Sequence, residues 1–72
     1  MLKETLYAPC SGLISQIYTP SGSLVNEGDE ILSIEVMKLF MSVVSNLNGK
    51  LKLIFAEGEF VQEGQILGEI LE

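Results

Sequence analysis

Histidine is absent from this 72-residue chain and cysteine occurs once, at Cys10. No internal disulfide can therefore form, and no zinc site of histidines and cysteines can be assembled. With no imidazole, no glycine-rich cofactor loop and no base placed beside a nucleophile, the chain has little to offer as an enzyme in its own right. Cations are scarce as well: four lysines stand against ten carboxylates, for a formal net charge of −6. They form no stripe that could follow a phosphate backbone, so nucleic acid is a poor partner. No apolar run is long enough to cross a bilayer, and the opening Met1-Leu2-Lys3-Glu4-Thr5 has no signal-peptide core. The expected location is a reducing cytoplasm without membrane attachment.

What is present is apolar side chain, 47% of the residues, enough for a buried core and against a disordered tail. Residues 1–72 are read as a single domain, near the size at which one core barely offsets chain entropy.

The chain also repeats itself. Shifted by 36 or 37 residues, Gly12 falls on Gly49, Gly22 on Gly58 and Gly28 on Gly64, with Ile14 on Leu51, Val25 on Val61, Glu27 on Glu63 and Ile34 on Ile70. Short runs of Ile, Val, Leu and aromatics alternate with the turn segments Pro-Ser-Gly-Ser, Asn-Glu-Gly-Asp, Ala-Glu-Gly-Glu and Gln-Glu-Gly-Gln. This pattern predicts about four short antiparallel strands per half, each glycine taking a positive φ where a hairpin closes. Gly28 and Gly64 are equivalent positions of this kind.

Ile31 to Val44 breaks the pattern, a long apolar run holding one lysine, Lys38. Ile34, Met37 and Met41 have helical spacing, but apolar residues occupy every face, Ile and Val are frequent, and no cap stands at either end. As one strand the run would far exceed the usual five or six residues. The repeat joins near Lys38, which makes that residue the tip of a hairpin between the two halves. A tight hairpin normally carries Asn-Gly or Asp-Gly, whereas this one offers Val36, Met37, Lys38 and Leu39. A costly, glycine-free turn that exposes one amine points to function rather than folding.

Glu35-Val36-Met37-Lys38 resembles the attachment motif of biotinyl domains, the carrier modules of biotin-dependent carboxylases, which usually reads Glu-Ala-Met-Lys-Met and has valine for alanine in some acetyl-CoA carboxylases. Ala8-Pro9-Cys10-Ser11-Gly12, the approach from Val25 to Lys38 and the closing Phe60 to Ile70 resemble the same family. The likeness thus covers nearly the whole chain. Leu39 stands where methionine is commonest, and no room remains for the "thumb" loop of some bacterial carriers.

The resemblance implies an all-β flattened antiparallel barrel of two four-stranded sheets, with Lys38 on the exposed hairpin at one end and both termini near the other. It implies covalent biotin on Lys38, with Met37, Leu39, Val36 and Glu35 as flanking recognition residues. Its partners would be a biotin protein ligase and the biotin carboxylase and carboxyltransferase subunits or domains of an acyl-CoA carboxylase, with acetyl-CoA as the expected acceptor. The rival within the fold is a lipoyl domain, whose motif commonly reads Glu-Thr-Asp-Lys; Met37 in place of aspartate favours biotin. A second rival is an unmodified structural barrel. Cys10 is expected to be a small buried hydrophobe, and Glu57, Glu59 and Glu63 a solvated face.

Overall fold

The computed structural model describes residues Met1–Glu72, which form eight strands and no helix: β1 (Lys3–Tyr7), β2 (Gly12–Ile17), β3 (Leu24–Val25), β4 (Glu30–Val36), β5 (Leu39–Val44), β6 (Gly49–Leu53), β7 (Phe60–Val61) and β8 (Ile66–Leu71). They assemble into two four-stranded antiparallel sheets, in the orders β1-β8-β6-β3 and β5-β4-β2-β7. With no helix present, none is long and apolar enough to cross a membrane.

The duplication is visible in the pairing. Adding four to each strand number of the first sheet, cyclically, gives the second, so each sheet takes strands from both halves. The halves interlock instead of standing side by side. Consequently only β4 and β5 are both consecutive and paired. The four glycine turns, expected to close hairpins, instead turn corners from one sheet to the other. The same turn chemistry serves either purpose, and the long-range pairing of β1 with β8 and of β2 with β7 decides which.

Those corners are built alike. Asn26 O accepts from Asp29 N, Ala56 O from Glu59 N and Gln62 O from Gln65 N, closing three turns around Gly28, Gly58 and Gly64. In each the fourth residue's side chain also reaches back to the first backbone N–H, through Asp29 Oδ2 (2.8 Å), Glu59 Oε1 (2.6 Å) and Gln65 Oε1 (2.9 Å). The turn at Pro20 has no such bond, since proline has no N–H to donate. Glu57 accepts from Ile17 N at 2.8 Å. The carboxylates of Glu57 and Glu59 thus satisfy backbone donors, a structural task beyond the solvated face expected of them.

Inward side chains of both sheets, with Ala8 from the connection between β1 and β2, form one core of twelve residues, among them Leu6, Ile14, Ile31, Leu32, Ile34, Leu51, Val61, Leu67 and Ile70. The pleat sends alternate residues inward. At β4 the register shifts between Glu30 and Leu32, and Ile31 and Leu32 are both buried. Ser33, buried on the opposite face of β4, shares a 2.8 Å hydrogen bond with Ser15 Oγ. Cys10 is half-buried and packs against the core rather than lying within it.

Gly28 and Gly64 adopt φ of 93° and 84°, and a Cβ on either would meet nothing within 4 Å. The cost of a side chain there is backbone strain alone. Gly28→Val and Gly64→Val are each expected to lose on the order of 1–3 kcal/mol, seen as a drop in thermal midpoint of roughly 4–8 °C per kcal/mol. If both variants melt with the wild type, the assignment of these turns is wrong.

Candidate functional site at the hairpin tip

β4 and β5 pair down to Val36↔Leu39, leaving two residues, Met37 and Lys38, to reverse the chain. A two-residue hairpin of type I′, one of the two that match strand twist, needs positive φ at both positions. Met37 takes φ 48° and Lys38 φ 69°, the only non-glycine residues in that region. Each sits where its Cβ crowds the backbone, a strain of order 1 kcal/mol or more per residue. The expected conflict between residue type and turn is therefore present in the backbone.

The strands beneath hold the turn in place. β4 is an inner strand, paired with β5 on one side and β2 on the other, and its Ile31, Leu32 and Ile34 are buried. Gly12 of β2 lies so close to the Glu35 carbonyl oxygen that a Cβ there would collide with it. Its repeat partner Gly49 stands in the same relation to the Leu71 carbonyl oxygen. The base of the hairpin thus rests directly on neighbouring backbone.

Lys38 is exposed and joins no ion pair, the chain's one salt bridge being Lys3–Glu69 at 3.5 Å. Met37 is 91% exposed and Leu39 70%, so both flank the amine in solvent rather than serving as core. Glu35 is half-buried, and its carboxylate makes no hydrogen bond or ion pair within the chain. Val36 packs against the core, since strand parity places it on the same inward side as Ile34. Of the four flanking residues named from the motif, Val36 is therefore the one that packs on the core, while Leu39, its pairing partner on the same face, projects past it into solvent. Phe40, which the motif did not draw in, lies beside Glu35 in register and is 63% exposed.

No trio of carboxylates or cysteine gathers to hold a metal. The two surface troughs lie elsewhere, one between the free edges of β1 and β5, lined by Glu4, Tyr7, Val44 and Asn46, the other on the first sheet around Lys52, Ile54 and Ile66. The tip is a projection without a pocket, and what it can do is present an amine.

Comparison with known proteins matches residues 4–70 to a family described as "Biotin-requiring enzyme". The chain is 37% identical over 68 residues to the alpha chain of mitochondrial propionyl-CoA carboxylase of Mus musculus, which spans 93% of this chain and 9% of that one. The chain thus covers about a tenth of the length of the curated relatives it matches first. Urea carboxylase of Kluyveromyces lactis superposes with a TM-score of 0.86 at 28% identity, over 99% of this chain and 6% of that one. The lipoyl domain of the 2-oxoglutarate dehydrogenase complex of Azotobacter vinelandii superposes with a TM-score of 0.74 at 26% identity, over 88% of this chain and 81% of that one.

Replacing Met37-Lys38 by Asn-Gly supplies the pair that this turn geometry favours. The double variant Met37→Asn, Lys38→Gly is expected to gain about 1–2 kcal/mol, read as a higher thermal midpoint and a shifted denaturant midpoint. A variant no more stable than the wild type would show that the turn stores no strain.

Proposed function

The chain belongs to the biotin/lipoyl attachment family, and from that premise we propose that residues 1–72 are one biotin carboxyl carrier domain with Lys38 as its attachment site. The observation that carries this reading is the turn itself, an unpaired exposed amine held on a backbone that neither Met37 nor Lys38 favours. The residues fit the group: the amine is free, its neighbours Met37 and Leu39 are apolar, and nothing on the chain covers them.

An ammonium has no lone pair with which to attack, so the lysine reacts only as the free amine. A biotin protein ligase must take the ammonium's proton and supply an activated biotinyl group. The Nζ lone pair then forms an amide with the acyl carbon, and the activating group leaves with its bonding electrons. The chain contributes presentation on a rigid hairpin. Bound biotin supplies a ureido nitrogen that takes up and releases carboxylate.

Lysine side chain and valeryl chain together reach roughly 12–14 Å from the backbone. That span is short for two separate active sites, so the domain itself travels between a biotin carboxylase and a carboxyltransferase, and tethering raises its effective concentration at each. The domain is the carrier and the catalysts are its partners. The acceptor proposed is an acyl-CoA, consistent with the name of the propionyl-CoA carboxylase relative. Acetyl-CoA, the expectation drawn from the motif, rests on Val36 alone.

The likeness to a lipoyl domain keeps lipoate as the second reading. The residue before lysine separates the two, and Met37 favours biotin.

Incubation of the chain with a biotin ligase, and separately with a lipoate ligase, followed by intact mass and peptide mapping, tests the assignment. One biotin-sized increment on Lys38 is expected, none on Lys38→Ala, and none on Lys3, Lys50 or Lys52. Biotin on any of those three, or efficient lipoylation without biotin uptake, would overturn it.

A further inference from the structure

Because the fold is duplicated, its two outer faces carry the same transverse row of four positions. On the β5-β4-β2-β7 sheet the row just below the hairpin tip reads Phe40, Glu35, Leu13, Phe60, aligned by the pairs Glu35↔Phe40, Leu13↔Glu35 and Leu13↔Phe60. The repeat-related row on the other sheet reads Lys3, Leu71, Lys50, Leu24, aligned by Lys3↔Leu71, Lys50↔Leu71 and Leu24↔Lys50. The backbones are equivalent and the side chains are not. Lysine at the positions of Phe40 and Leu13 leaves the equivalent sheet intact, so the barrel does not require apolar residues there.

Phe40, Leu13 and Phe60 are exposed by 63, 46 and 61%. Three strand spacings give the row a span of roughly 14 Å, and it lies about 7 Å below the tip, two residues along the strand. Met37, which follows β4 on the same side as Glu35, carries apolar surface on to Lys38 itself. Isolated exposed apolar residues need no explanation, but a contiguous strip beside a functional side chain does. Glu35 sits within it between Phe40 and Leu13, with no partner in the chain. Charge separates the faces too. Lys3, Lys50 and Lys52 all belong to the first sheet, beside Glu4 and Glu69, whereas the strip's sheet holds Glu30 and Glu35 and no lysine.

We propose that Phe40, Glu35, Leu13 and Phe60 form a docking strip for the protein that modifies Lys38, a partner presenting an apolar shelf with an arginine or lysine opposite Glu35. This rests on the carrier reading of Lys38. Aromatic anchors around one charge suit a protein surface: the rings supply the contact, and the carboxylate penalises any partner that strips its water without offering a cation. The strip and tip are small beside the roughly 800 Å² per partner of a stable complex. The encounter is therefore brief, as a carrier that must leave requires. Lys50 and Lys52, which no carboxylate pairs, disfavour the same basic partner on the other face and so bias the orientation of approach.

The test uses the whole chain as substrate of a biotin protein ligase with biotin and ATP, measuring KM for the chain and kcat. Leu13→Ser with Phe60→Ser is expected to raise KM at least tenfold with kcat within twofold, and the repeat-related pair Lys50→Ser with Leu24→Ser to change neither by more than twofold. Glu35→Gln should raise KM at low salt, with the effect shrinking as salt is added. Leu13→Lys, at a position whose repeat partner is already lysine, keeps the test valid if the serine pair melts early; it too should raise KM tenfold. Equal KM for wild type and strip variants, or equal losses on the two faces, would overturn the strip. So would a wild-type dimer that the serine pair makes monomeric, since a second copy would then be the occupant. A wild type that takes no biotin at all fails the carrier reading instead, before any variant is compared.

Discussion

Pairing of β4 with β5 is the constraint on which the rest turns. β4 is bonded on both sides and buries Ile31, Leu32 and Ile34, so its end cannot fray to suit Met37 and Lys38. Two left-handed residues, each costing on the order of 1 kcal/mol, persist because the ladder beneath over-determines them. For a 72-residue domain whose whole stability is of order 5–15 kcal/mol, that is a substantial concession. A fold selected for stability alone would place glycine there, as it does at the four corners.

Much of this was legible in the sequence. The repeat was readable because equivalent backbone sites make equivalent demands: Gly28 and Gly64 both need positive φ. The strand number and the exposed tip followed from the same register. The corners were not legible as corners. Asn-Glu-Gly-Asp closes a turn whether the next strand returns to the same sheet or crosses to the other, and local residues carry no record of the choice. Val36 illustrates a different gap: the motif groups it with Met37 and Leu39, but pleat parity turns it inward. The row from Phe40 to Phe60 could not be seen either, because its members come from four strands and meet only through registers made by folding.

Duplication gives the molecule its own control. Two equivalent sheets differ mainly in what they show to water, and the difference collects at the end that bears Lys38. Beneath the tip stand aromatics and a carboxylate, while the distant face holds three of the four lysines. Selection on folding would treat the two faces alike. Their divergence is what a domain needs if one end must be recognised and the other must stay out of the way.

The fold matters here only if Lys38 is chosen for its geometry and not for its neighbours in sequence. A synthetic peptide of residues 30–44 holds every residue of the motif and none of the sheet that supports the turn. Measuring kcat/KM for biotin transfer by one ligase to this peptide and to the intact chain separates the two cases. The intact chain should be favoured by at least about 100-fold, equivalent to some 2.7 kcal/mol. Equal values for peptide and chain would refute the idea that the strained hairpin exists to present this lysine.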